Sequence, residues 1–328
     1  MDDTFLRSLA CPHDHTALRR KDGALECEQH HTFAFEQGVP VFTEQPRREL
    51  VPLNMPPMPK VAPEPSSGVE PAKTIGTIDA FVNDWIVNTN GNLYWRARGR
   101  LTRYPIPSWP FGAGNGQTLL DVGCSWGRWC IAAARAGFQP IGLDVHIDAL
   151  AAAGRVSQQL GADCHFACSG VEKLPVQSRS IDCVFSYSVL QHIDKSKVRC
   201  AFREFARVLK PGGICMVQLP NAIGALSIAQ QLRRGFREAR PGSFEMRYWS
   251  RAEIRRAFED AGLPDVRIRS DGFFSQNPQL ADLDLLSLPA KLLVLVSYAG
   301  RKAGDALPPL THVADSLWIE ARAPRLKA

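Results

Sequence analysis

The residues best placed to do chemistry lie in TLLDVGCSWGRW, residues 118–129. An apolar run delivers Asp121, then Gly123, then Gly127 where a helical pattern begins. Glycine lets the backbone turn sharply and approach a ligand closely. The start of a helix adds unbonded N–H groups and the positive end of a dipole, a setting for a carboxylate. A second apolar run, PIGLDV, ends in Asp144, 23 residues after Asp121. A carboxylate at that point can accept both hydroxyls of a ribose. Its alternative use is as an N-cap or surface group, but the glycine loop upstream favours the nucleoside reading. No GK[ST] tripeptide and no G-x-G-x-x-G follow, which argues against a phosphate-binding loop and a nicotinamide dehydrogenase.

Alternating strand and helix patterns position these residues. TLLDVG predicts a strand, WGRWCIAAARAG a helix closed by Gly137, PIGLDV a second strand and IDALAAAGRVSQQLG a second helix. CHFAC, SIDCVFSYSVL and GICMVQLP continue as strands three to five, with the helix SKVRCAFREFARVL stopped by LKPGG. Short apolar strands alternating with helices imply a parallel sheet covered on both faces. Ser250 and Glu253 form a capping-box pattern ahead of another helix, and DVRIRSDGFF and SLWIEARA complete the strands.

Residues 117–220 resemble the core of a class I S-adenosylmethionine (SAM)-dependent methyltransferase. The resemblance rests on LLDVGCSWG, GLDV, LPVQSRSIDCVFSYSVLQHI and EFARVLKPGG in that order. It implies a Rossmann-like α/β fold, a seven-stranded sheet with the last strand antiparallel and helices on both faces. It also implies a cofactor site in which Asp121, Gly123, Cys124, Ser125 and Gly127 surround the methionine part and Asp144 and Val145 hold the ribose. Ser186, at the end of strand four, completes that set. The family usually carries an Asp four residues before the LP pair to hold the adenine amine, whereas Gly170 stands there in ACSGVEKLP. Ser169, backbone near Val171, or Glu172 are the replacements available.

In this fold the loop after strand four, FSYSVLQHID, faces the transferred methyl. His192 has the ordinary pKa of a general base, and Tyr187 is the second candidate. Packing or capping of the loop is the alternative for the imidazole, and an already deprotonated acceptor needs neither. Methyl transfer from a sulfonium is an in-line displacement, so orientation alone supplies several kcal/mol of the barrier, up to roughly 7–11.

Three flanking stretches carry the substrate side. Residues 76–116 include Phe81, Trp85 and Ile86 at helical spacing and form a lid with Tyr94, Trp95 and Arg96. Residues 221–249 and 275–315 are insertions. Between Gln231 and Arg256 stand eight Arg against three Glu, which suits an anionic substrate, a phospholipid surface or RNA phosphates, or else a solvated helix. The apolar run Leu285–Ala299 predicts a core helix or, less simply, a wall of a greasy pocket.

Residues 1–43 form a separate unit with two of the nine Cys and four of the eight His, followed by a Pro-rich linker over 44–75 with eight prolines between Pro46 and Pro71. The unit resembles the zinc ribbons found in front of some methyltransferases. Cys11, Cys27, Gly38, Val39 and Pro40 match that pattern, with Asp14 where it has Cys. The resemblance implies zinc held by Cys11, Asp14, Cys27 and His31, with His13 or His15 as alternates. The alternative is a metal-free ribbon held by its hairpin, Phe33 and Phe35.

The whole chain has 328 residues, 45% hydrophobic and 22% charged, an ordinary globular mixture that excludes a mainly disordered chain or a coiled-coil rod. Its net charge of +6 combines 29 Arg with only 10 Lys, an Arg bias that coding composition also explains. Scattered Cys beside apolar runs, the lack of a secretory pattern at the N-terminus and the lack of an apolar stretch long enough to span a membrane predict a cytoplasmic protein. The expected function is methyl transfer from SAM to an O, N or C nucleophile of a small or lipid-like molecule. The alternatives are an rRNA or tRNA methyltransferase using the ribbon and the Arg-rich segment, and a non-catalytic SAM-fold scaffold. Scarce Lys and FSYS in place of an amine-methylating NPPY argue against RNA; the intact glycine loop and Asp144 argue against a scaffold.

Overall fold

The structure is a computed structural model that describes residues 3–48, 77–274 and 279–325. Most of the expected 44–75 linker therefore lies outside the described residues.

In chain order the strands are β1 (Arg19–Lys21), β2 (Ala24–Glu26), β3 (Thr32–Phe33), β4 (Phe35–Glu36), β5 (Val39–Pro40), β6 (Thr118–Val122), β7 (Gln139–Asp144), β8 (His165–Cys168), β9 (Ile181–Ser186), β10 (Leu209–Pro220), β11 (Asp265–Gly272) and β12 (Ser316–Arg322). The helices are α1 (Asp3–Ser8), α2 (Ala80–Asn90), α3 (Arg128–Arg135), α4 (Ile147–Gln159), α5 (Lys195–Val208), α6 (Ala225–Arg233), α7 (Arg251–Asp260) and α8 (Leu288–Ala306). Seven strands form one sheet in the order β11-β12-β10-β9-β6-β7-β8. The neighbours from β8 through β10 are parallel, and β12 runs antiparallel between β10 and β11. This is the sheet that the resemblance implied.

Side-chain alternation divides the central strands between two cores. Leu120 and Val122 of β6 join Val184 and Val217 in a cluster completed by Phe202 and Phe205 of α5 and Phe258 of α7. Leu119, Phe185, Met216 and Trp318 point the other way, into an aromatic cluster with Trp129 and Tyr187. Helix α5 stops at Val208, and the Pro-Gly-Gly that follows runs on as the start of β10, with its pairing register shifted between Leu209 and Ile214.

Two local expectations are corrected. The buried stripe of α2 is Val82, Ile86 and Val87; Phe81 and Trp85 lie on its flank, stacked at 5.0 Å and leaning on the His146 ring. Residues 288–299 of the Leu285–Ala299 run lie in α8, but this is not a plain core helix, because Leu288, Leu292, Leu295 and Val296 are exposed.

The N-terminal unit has a three-stranded antiparallel sheet, β1-β2-β3, and the hairpin β4-β5. It shares its core with the large sheet: Phe5, Leu9 and Leu25 belong to the cluster of Leu174 and Val176. Phe5 stacks on His165 at 4.7 Å, Val41 bridges to Cys168 beside β8, and the Arg47 N–H donates to Val145 O at 2.7 Å. The segment thus stays bound to the sheet edge through Arg47. Leu9→Ala is expected to cost about 2–5 kcal/mol, because a fully buried side chain leaves a cavity at this junction; urea unfolding of the full chain measures it.

Candidate cofactor and active site

A cavity of about 310 Å³ opens at the carboxyl ends of the parallel strands, where Gly123, Val145, Gly170 and Tyr187 follow or end β6, β7, β8 and β9. Gly123 has φ +85°, and a Cβ there would meet Val189 at 2.4 Å, so only glycine allows the chain to pass. The turn is held shut by Asp144, whose two carboxylate oxygens accept the N–H groups of Ser125 and His146, each at 2.9 Å. Gly123, Cys124, Ser125, Asp144, Val145 and Gly170 all line the cavity.

Four of the expected cofactor residues lie outside that lining. Asp121 is buried beneath the loop, where the Cys130 thiol donates to it at 3.4 Å, and burial pushes its carboxyl up to about 7. Gly127 caps α3 and gives room to Phe166 and Ala153, which a Cβ would touch at 3.0 and 3.1 Å. The Ser186 hydroxyl donates to Val122 O at 2.8 Å and joins β9 to β6. The Ser169 hydroxyl turns inward to Gly170 O and Lys173 O. At the site of the missing Asp, the wall is Gly170, Val171 and Glu172, the last paired with Lys197 at 2.7 Å.

Three lining elements escaped the sequence reading. Arg128, the first residue of α3, is buried and faces the cavity with its guanidinium 5.6 Å from the Trp129 ring. A cation at a helix N-terminus opposes the dipole, which is the signal that an anion belongs nearby. Arg47 reaches the cavity from the N-terminal unit, a contribution that no local pattern announces. From α2, Asn88 and Thr89 line the cavity beside Trp85, and the Thr89 hydroxyl lies 3.1 Å from that of Ser125. The lid residues Tyr94, Trp95 and Arg96 do not line it. Tyr94 points away and donates to Asp282 at 2.5 Å, and Trp95 is exposed under the Arg96 guanidinium.

The two candidate catalytic side chains both line the cavity. Tyr187 donates to Asp271 at 3.2 Å, and Ser316 donates to the same carboxylate oxygen at 2.7 Å. Burial and the Asp271 charge hold the phenol well above its usual range, and burial raises Asp271 as well. His192 stacks on Phe244 at 3.9 Å, with Nδ1 3.0 Å from the Phe244 carbonyl. A carbonyl only accepts, so Nδ1 carries the proton and Nε2 keeps its lone pair. Burial pushes this imidazole down to about 4, which keeps it neutral at physiological pH.

The Arg-rich segment proves partly structural. The Arg247 guanidinium is buried, pairs with Asp194 and donates to the carbonyls of His192, Ser243, Glu245 and Arg240. Arg234 donates to Met246 O, Arg237 pairs with Glu245, and Arg255 donates to Val266 O. The Arg247 bonds, with the Gly242 N–H donating to Asp194, hold Gly242, Ser243 and Phe244 at the cavity wall.

In the N-terminal unit, the ligand atoms of Cys11, Asp14, Cys27 and His31 lie within 4.8 Å of one another. His31 Nδ1 is 3.4 Å from Cys11 Sγ, 3.3 Å from Cys27 Sγ and 3.1 Å from Asp14 Oδ2. Zinc bonds of about 2.0–2.3 Å in a tetrahedron separate ligands by roughly 3.3–3.8 Å, a range that the two His31–thiol distances meet. Thr16 holds Asp14 in place through its N–H and hydroxyl, as an outer-shell partner does.

Residues 119–213 match a family model described as a methyltransferase domain. This match falls on the segment whose motifs resemble the class I SAM-dependent methyltransferase core, and the sheet order is the one that resemblance implied. The chain is similar to the ubiquinone biosynthesis O-methyltransferase of Bradyrhizobium sp., 29% identical over 133 residues, covering 38% of this chain and 51% of that protein. It is 32% identical over 106 residues to the protein of the same description from Nitrobacter winogradskyi, covering 32% of this chain and 40% of that protein. The chain thus spans about half the length of the curated relatives it matches. Among solved structures, it resembles the phosphoethanolamine N-methyltransferase 2 of Haemonchus contortus at 20% identity and a TM-score of 0.45, covering 75% of this chain and 57% of that one.

The depressed His192 value predicts a pH dependence. The unfolded chain binds the proton at about 6.5, whereas the folded chain binds it only near 4. Stability from the neutral ring is therefore whole above about 6.5 and is lost as pH falls through about 4. His192→Gln should flatten the fall in urea midpoint between those values, and a ring titration followed by NMR should have its midpoint near 4.

Proposed function

We propose that this protein transfers a methyl group from SAM to an oxygen, nitrogen or carbon nucleophile of a small or lipid-like molecule. The observation that carries the reading is one cavity that joins the Gly123–Ser125 turn, Asp144 and Arg128 to Tyr187 and His192. When bound, SAM supplies an electrophilic methyl whose bond to sulfur breaks as the acceptor's lone pair attacks. The Arg128 guanidinium suits the methionine carboxylate. Asp144 suits the ribose, since each oxygen retains acceptor capacity beyond its backbone bond. Gly170, Val171 and Glu172 form the adenine wall. Trp85 and Phe244 line the cavity and help exclude water from it.

His192 Nε2 keeps its lone pair at the cavity wall and is placed to take the acceptor's proton, but burial that holds the ring at about 4 makes it a weaker base than the ordinary imidazole the sequence suggested. Tyr187 serves a second route: its oxygen accepts the proton while its own passes to Asp271. The curated relatives named for O-methylation support an oxygen acceptor. The RNA reading is weaker, because Arg234, Arg237, Arg247 and Arg255 are engaged within the fold. Nine free cysteines support a reducing compartment, the cytoplasm. We assign the Cys11, Asp14, Cys27 and His31 cluster to structural zinc.

Isothermal titration of the full chain with SAM tests the core of this reading. Asp144→Ala and Arg128→Ala should each weaken binding by about 10–100-fold, the loss expected for charged hydrogen bonds; absence of binding by the wild-type chain sinks the proposal. Tritium from labelled SAM should pass to the small-molecule or lipid fraction of a cell extract, and His192→Gln should slow that transfer more than Tyr187→Phe. Metal analysis should find one zinc per chain, lost in Cys27→Ser.

A further inference from the structure

Outward-facing apolar side chains gather on a cap of helices at the carboxyl ends of β10 and β11. Helix α8 crosses this cap. Its Ala290 and Val294 pack into the cluster of the lid residues Val82 and Ile86, and Gly300 and Gly304 lie against Phe273 and Ser270 at the carboxyl end of β11. The opposite face of α8 carries Leu288, Leu292, Leu295 and Val296, which are 78%, 64%, 47% and 48% exposed. Their spacing of four, three and one places them in one stripe. Lys291 and Lys302 flank that stripe, and Asp305 is the sole carboxylate of the helix.

Helix α6 repeats the pattern in the same cap. It follows the carboxyl end of β10, and Asp315, just before β12, accepts the N–H groups of Leu226 and Ser227 and of Phe274 beyond β11. Its exposed Ile228 and Leu232 stand beside Arg233, with no carboxylate in the helix.

We infer that this cap docks on an anionic phospholipid surface, with the α8 stripe inserted among acyl chains and the flanking lysines and Arg233 at the headgroups. Interfacial helices have this composition, an apolar face bordered by cations. Among the described residues no helix is long and apolar enough to cross a membrane, so α8 lies along the surface. A second copy of the chain would bring the same cations together, and RNA phosphates offer nothing to four exposed aliphatic side chains. Docking sets the carboxyl ends of the strands, where the cavity opens, toward the bilayer, in which a lipid-like acceptor resides. That last point rests on the proposed methyl transfer, whereas the docking does not.

Flotation of the full chain with phosphatidylcholine vesicles, with and without phosphatidylglycerol, tests the inference. Binding to the anionic vesicles should be about tenfold stronger and should weaken with salt. Leu292→Ser with Leu295→Ser should lose that binding about tenfold while SAM titration and circular dichroism stay unchanged, since neither residue touches the cavity. Lys291→Glu with Lys302→Glu should abolish the preference for anionic vesicles. A wild-type chain that binds SAM yet ignores anionic vesicles overturns the docking alone, whether sedimentation then shows a dimer closed through α8 or gel shifts show RNA bound instead. Loss of SAM binding overturns the methyltransferase reading and leaves the vesicle result to stand by itself.

Discussion

The site depends on a close approach between backbone and carboxylate. The chain leaving β6 must turn within a few residues, and it does so at Gly123, against Val189, where no side chain fits. Asp144 then holds the turn by accepting the Ser125 N–H. One carboxylate thus joins the ends of two neighbouring strands and stands in the cavity wall. Asp121 and Gly127 act beneath this arrangement: the first is sealed under the loop, and the second lets α3 lie against Phe166 and Ala153.

The rest of the cavity is assembled from distant segments. The lid α2 supplies Trp85 and Thr89, the N-terminal unit supplies Arg47, and the segment after α6 supplies Phe244. Each needs its own anchor. Arg247 gathers the carbonyl of His192 and those of Arg240 and Glu245 in the segment after α6, so a residue that belongs to a basic patch in sequence is a buried staple in space. Its bonds also set the chemistry of His192, because they position the Phe244 carbonyl that selects the imidazole tautomer. On the opposite flank, Arg103 ties the lid to Asp282 and Asp284.

The same cap faces outward with α8. An amphipathic helix normally turns its apolar stripe inward, and here small residues face in while leucines face out. Ala290, Gly300 and Gly304 permit close packing on the lid and on β11, which leaves the larger side chains to solvent or to a partner.

Read alone, the sequence determined the alternating strands and helices, the glycine turn, Asp144 at the end of β7 and the capping box at Ser250, because each depends on local backbone geometry or on periodic burial. The resemblance to a zinc ribbon named Cys11, Asp14, Cys27 and His31, whose ligand atoms lie within 4.8 Å of one another. Only the tertiary structure decided which side chains face the cavity. Ser186 and Ser169 turn to backbone carbonyls, whereas Arg128 and Arg47 turn to the cavity. The direction of α8 was likewise undecided in one dimension, since an apolar run specifies that a stripe exists but not which neighbour small residues allow close enough to cover it.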